Sequence, residues 1–166
     1  MSLNQSLLPE FDQEMASTRR LLERVPAEKF AWQPHDRSMD LGRLANHVAN
    51  LPSMASLSLS VPELDVAVRR AALPKAETNQ ELLDNFDQAA AAARASIAGA
   101  SDELLFETFS LRNGDKVMFS LPKIAALRAF FLNHLIHHRG QLTVYLRLND
   151  IPVPSTYGPS ADEGNM

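Results

Sequence analysis

The chain has 166 residues, 45% of them apolar and 22% charged, a balance suited to one compact folded domain and not to wholesale disorder. Sixteen Lys and Arg against twenty Asp and Glu give a net charge of -4, and no helix is rich in Lys or Arg, which argues against a nucleic-acid partner. No cysteine is present, which excludes disulfides, Cys-type zinc fingers, iron–sulfur clusters and a thiol nucleophile within the chain.

The first residues, Met1 to Glu10, carry no basic segment and no long apolar core of the kind a secretion signal has. Apolar stretches are broken well short of the roughly 20 residues that a membrane span needs. The expectation is a soluble, cytoplasmic protein with no membrane partner. Helical periodicity then dominates. Leu3, Leu7, Phe11, Met15, Leu22 and Val25 form one stripe of a first amphipathic helix that Pro26 ends. Residues 27–37 read as a connection. Ser38 is the expected N-cap of a second helix, with Asp40 in its first turn and Leu41, Leu44, His47, Val48 and Leu51 on one face. Pro52 should kink or end that helix, with Ser53–Ser60 as a continuation.

Residues 62–76 read as a long mixed connection. Thr78 and Glu81 have the spacing of a capping box and open a third helix, with Leu82, Leu83, Phe86, Ala89, Ala90, Ala93 and Ile97 inward and Gly99 as its stop. Asn113-Gly114, between runs rich in Phe, Val and Met, predicts a short hairpin. A fourth helix is predicted from Ser120–Pro122 to Leu148 or Asn149, followed by a Pro- and Gly-rich tail. The expected fold is all-α: a four-helix bundle whose long connection after the second helix excludes plain up-down-up-down order, with a hairpin between helices three and four. Residues 1–158 are read as one domain and 159–166 as its tail.

The five histidines are His35, His47, His134, His137 and His138. His134 and His138 are four apart, so they project from one helix face one turn from each other. Their stripe, Leu127, Phe131, His134, His138, Leu142 and Tyr145, is otherwise apolar or aromatic, and should face the bundle interior. His47 holds a matching place on helix two. A lone inward histidine is commonly a satisfied core residue; three on two facing helices are candidate ligands to one metal ion, with a coordination position left open. Neutral imidazoles and the absence of thiolates make zinc or nickel the first choices. His137 is expected at the edge of the face, and His35 as structural or exposed. Gly140 suggests either tight packing or room for a ligand. Gln141 is a candidate donor to a ligating carboxylate, a water or a substrate, with a solvated side chain as the plain alternative. Arg139 reads as a surface or interface ion-pair partner. Asp40 is a candidate outer-shell carboxylate, and a helix-start charge explains it equally well.

These segments together resemble the DinB/YfiT-like superfamily of metalloenzymes. The likeness is carried by Trp32-Gln-Pro-His35 with Ser38 after it, Leu44-Ala-Asn-His47, Asn133-His-Leu-Ile-His-His138-Arg-Gly-Gln141, and the ending from Leu146 to Gly158. The resemblance implies a four-helix bundle of variant topology, a divalent metal held by His47, His134 and His138, and a homodimer. Some relatives are S-transferases that use a low-molecular-weight thiol such as bacillithiol or mycothiol; others resemble hydrolases or isomerases. A metal-dependent enzyme acting on a small molecule is therefore the leading expectation. A non-catalytic, dimeric stress-response or ligand-binding protein, its helices stapled by a structural metal, is the rival.

Overall fold

The structure is a computed structural model, and it describes residues 2–71 and 73–164. Four helical rods carry the core. The first is α1, Leu3–Leu22, whose Leu7, Phe11, Met15, Leu21 and Leu22 are buried. The second is α2, Leu41–Asn50, continued by α3, Pro52–Ser60. Leu51 between them keeps helical angles, and Pro52 sits at the first position of α3, where its missing N–H costs nothing. After β1, Glu63–Asp65, and a short α4, Val66–Ala71, comes the third rod, α5, Asn79–Ala98. Its N-cap Thr78 accepts from the Glu81 N–H at 3.2 Å, while the Glu81 carboxylate takes the Glu77 N–H, so the reciprocal arm of the capping box falls one residue early. Another short helix, α6, spans Asp102–Phe106.

Next come strands β2, Thr108–Asn113, and β3, Lys116–Pro122. The fourth rod is α7, Lys123–Ala126, a π-helical turn at Leu127–Leu132, and α8, Asn133–Arg147. α5 packs on α1, α2 and α3, and α8 packs on α1 and α2. Phe11, Phe86, Phe109 and Phe131 lie among the fully buried side chains.

The hairpin between the third and fourth rods is present, with Gly114 at φ 58° in a two-residue loop between Asn113 and Lys116. It does not stand alone. β1, inside the segment read as a plain connection, pairs in parallel with β2, and the sheet runs β1-β2-β3. The fold is thus a helical bundle carrying a small mixed sheet rather than a strictly all-α protein. A two-stranded hairpin is marginal in water, and the third strand supplies what it lacks.

Two further expectations are corrected. Asp40, not Ser38, caps α2: its carboxylate accepts from the Arg43 N–H at 2.7 Å. Arg139 is not a surface residue. It is 2% exposed and paired with Glu14 of α1 at 2.7 Å. The same guanidinium donates to Thr18, and Tyr157 from the C-terminal segment donates to Glu14 at 2.5 Å while its ring lies 5.3 Å from the guanidinium carbon. The buried charge is thereby paired with an opposite one, as burial demands.

The π-turn has a cause legible in packing. Leu127, Phe131, Leu135 and Arg139 are all buried and lie four apart. On a regular α-helix each four-residue step overshoots a full turn by about 40°, so three steps would swing the stripe off the core. A wider turn takes up that excess. The inward stripe of the fourth rod is therefore Leu127, Phe131, Leu135, Arg139, Leu142 and Leu146, and His134 and His138 stand beside it, half-buried.

Candidate metal centre

His47 comes from the second rod and His134 and His138 from the fourth. The half-burial of all three follows from where they stand, on the flank of each rod that borders a cavity of about 900 Å³. His134 Nε2 lies 3.3 Å from His47 Nε2 and 2.8 Å from His138 Nε2, and one ligand atom from each residue falls within 4.8 Å of the other two. Imidazole nitrogens bound to a tetrahedral zinc ion at 2.0–2.1 Å stand about 3.3 Å apart, so the spacing suits a shared cation.

The far sides of the rings bear on the same point. His138 Nδ1 is 2.7 Å from Gln141 Oε1, an oxygen that only accepts, so the imidazole donates its proton there and keeps a lone pair on Nε2. His134 makes a hydrogen bond to the Phe130 backbone. Its Nε2 faces His138, which leaves Nδ1 as the donor to that carbonyl. Two lone pairs then point at one spot, an arrangement that a cation relieves. Burial, and then the neighbouring His138, push His134 below the ordinary imidazole value of 6.5. Burial pushes His138 the same way, opposed by its bond to Gln141. Both shifts favour the neutral form, which is the form that binds metal. The donor set therefore fits a divalent ion.

The connection before α2 builds one wall. Leu41 N–H donates to Trp32 O at 2.7 Å and Gly42 N–H to Phe30 O at 2.9 Å. A Cβ on Gly42 would stand 2.8 Å from the Phe30 Cβ, so this close approach requires glycine. Tyr145 Oη donates to Met39 O, and its ring meets Trp32 edge-on, tying α8 to the same wall. The opposite wall is the segment 73–77. Asn46 Oδ1 takes the Ala76 N–H at 2.7 Å while its Nδ2 donates to Ala76 O at 3.1 Å, and Asn50 Nδ2 donates to Pro74 O at 3.0 Å. Sequence reasoning passed over Asn46 and Asn50 as functional residues, although Asn46 lies in the Leu44-Ala-Asn-His47 motif.

The remaining candidates separate clearly. His137 is exposed, its ring 4.8 Å from that of His138 and outside the converging set. His35 is exposed, its Nδ1 accepting from the Arg37 N–H. Asp40 borders the cavity but caps α2. A Cβ on Gly140 would meet nothing within 4 Å, so close packing does not explain that glycine.

The DinB family model matches residues 1–165. The chain belongs to the DinB family. YrdA of Bacillus subtilis (strain 168), a protein described as uncharacterized, is 27% identical over 161 residues, covering 94% of this chain and 89% of YrdA. Among solved structures, a DinB-like protein from Bacillus cereus ATCC 10987 superposes with a TM-score of 0.71 at 20% identity over 92% of this chain and 97% of that one. The DinB-like protein YjoA of Bacillus subtilis gives 0.69 at 18% identity over 96% and 99%. At these identities the two structures support the DinB-like bundle and nothing finer.

Proposed function

We propose that His47, His134 and His138 hold a divalent metal ion, zinc or nickel, and that the protein is a metal-dependent enzyme acting on a small molecule by S-transfer or hydrolysis. The observation that carries this is the convergence of the three imidazoles beside a cavity large enough for a substrate. A divalent ion there supplies Lewis acidity, lowering the pKa of a thiol or a water. The chain's own residues do the rest. Gln141 and the Phe130 carbonyl fix the ring orientations of His138 and His134, and Phe30, Ala31 and Met39 give the cavity an apolar side that limits water. A low-molecular-weight thiol is the co-substrate in the transferase version. Residues 1–158 form the working unit, acting as a homodimer in the cytoplasm.

The rival reading, a non-catalytic protein with a structural metal, is disfavoured by the cavity, since structural sites are closed by protein ligands. The test is metal analysis of protein purified without added metal, beside the variant His134→Ala. About one equivalent of zinc or nickel is expected in the parent and little in the variant, because two imidazoles bind far more weakly than three. Metal-free parent protein with no uptake on titration sinks the reading.

A further inference from the structure

Arg43 sits one helical turn before His47 on α2, and both border the cavity. Four residues of α-helix advance about 6 Å, so Arg43 and a metal-ligating imidazole leave the same rod one turn apart, both at the cavity, and an exposed arginine there can reach one end of a small molecule whose other end meets the histidines. Arg43 is also unusual in its company. Among arginines with described side chains, only it and Arg37 lack a carboxylate partner. Arg37 does not border the cavity.

Among the described residues, three others that line the cavity are charged: Asp40, Lys75 and Glu77. Asp40 is engaged in capping α2 through the Arg43 N–H, and makes no ion pair with the Arg43 side chain. Lys75 and Glu77 flank Ala76 on the opposite strap, and Glu77 is not among the carboxylates that pair with a described arginine. The guanidinium is therefore left for a ligand, and its flat fork of donors matches a carboxylate.

We infer that the ligand of this cavity carries a carboxylate, which Arg43 binds while the ligand's other end, a thiol or hydroxyl, reaches the three-histidine centre. The inference rests on the proposed metal function and adds the substrate class: small anionic thiols or hydroxy acids rather than neutral or cationic ones. Arg43 is in this sense a specificity residue.

The probes are 3-mercaptopropionate, 3-mercaptopropan-1-ol and cysteamine, which differ in the charge at one end. Their dissociation constants are measured by calorimetry on metal-loaded protein, with metal content assayed in every sample. The carboxylate is expected to bind about tenfold tighter than the alcohol, and Arg43→Gln to remove that preference while leaving alcohol binding and metal content unchanged. Arg43→Lys should restore part of it. Equal binding of carboxylate and alcohol by metal-loaded protein, preference for cysteamine, or no binding of any probe overturns the inference while the metal reading stands. Protein that takes up no metal overturns both.

Discussion

His138 shows how much of the candidate site depends on single atoms. Its Nδ1 proton is directed at Gln141 Oε1, which orients the ring and leaves Nε2 for a ligand. Losing such an outer-shell partner typically lowers metal affinity 10- to 100-fold. Gln141→Ala should do so in a competition titration with a chelator, with helical content unchanged because the residue is exposed. The imidazole shifts set a pH dependence with a definite sign. In the folded, metal-free protein His134 and His138 lie below the ordinary 6.5, and in the unfolded chain they return to it. Above 6.5 neither state binds these protons. Below it the unfolded chain takes them up first, so stability falls as pH drops. The metal-free Tm should therefore decline from about pH 7 to about pH 5, and less steeply in His134→Gln, which lacks one of the two groups. The His134–His138 pair was legible in the sequence because it is local. Gln141 was legible only as a polar neighbour, since its side chain's target depends on the ring turning toward it.

At the level of elements, α1, the α2–α3 rod and α5 follow from periodicity and punctuation. Pro52, Thr78 and Gly99 mark ends or joints at the expected places, while α1 ends at Leu22, four residues before the Pro26 expected to stop it. The fourth rod was harder to read. Its histidines look like part of the buried stripe only if the helix is a regular α-helix throughout, and the π-turn at Leu127–Leu132 changes the phase. That places Arg139 inward, against Glu14, Thr18 and Tyr157. An arginine in sequence reads as exposed, and only the distant Glu14 makes its burial tolerable. Removing one member of such a pair leaves the other buried and alone, so Arg139→Met should lower unfolding free energy by about 3–5 kcal/mol in a denaturant titration. The segment 62–76 was read as loop for a related reason. Three residues of β1 carry almost no pattern of their own, and they become a strand because β2 offers an edge at Ser110, Leu111 and Arg112.

At the scale of the whole molecule, several large apolar side chains stay uncovered in the single chain. Val117 and Met118 on β3, at the sheet edge, are more than half exposed, as are Val144 on α8 and Leu148 just after it. Exposed apolar residues on an edge strand are a liability in a monomer. The proposed homodimer predicts a mass twice that of the chain by light scattering, and Val117→Lys with Met118→Lys as the variant that shifts it if β3 contributes. A single-chain mass for the parent protein would contradict the dimer without touching the metal site.

Composition, the amphipathic stripes of the first three rods, the hairpin turn and the candidate histidines belonged to the sequence by itself, because each is a matter of local spacing along one element. The tertiary structure alone decided the third strand, the burial of Arg139, the phase of the last helix and the strap pinned by Asn46 and Asn50. Each of these rests on a partner far along the chain, and the free energy of burying or hydrogen-bonding a group is set by that partner rather than by its neighbours in sequence.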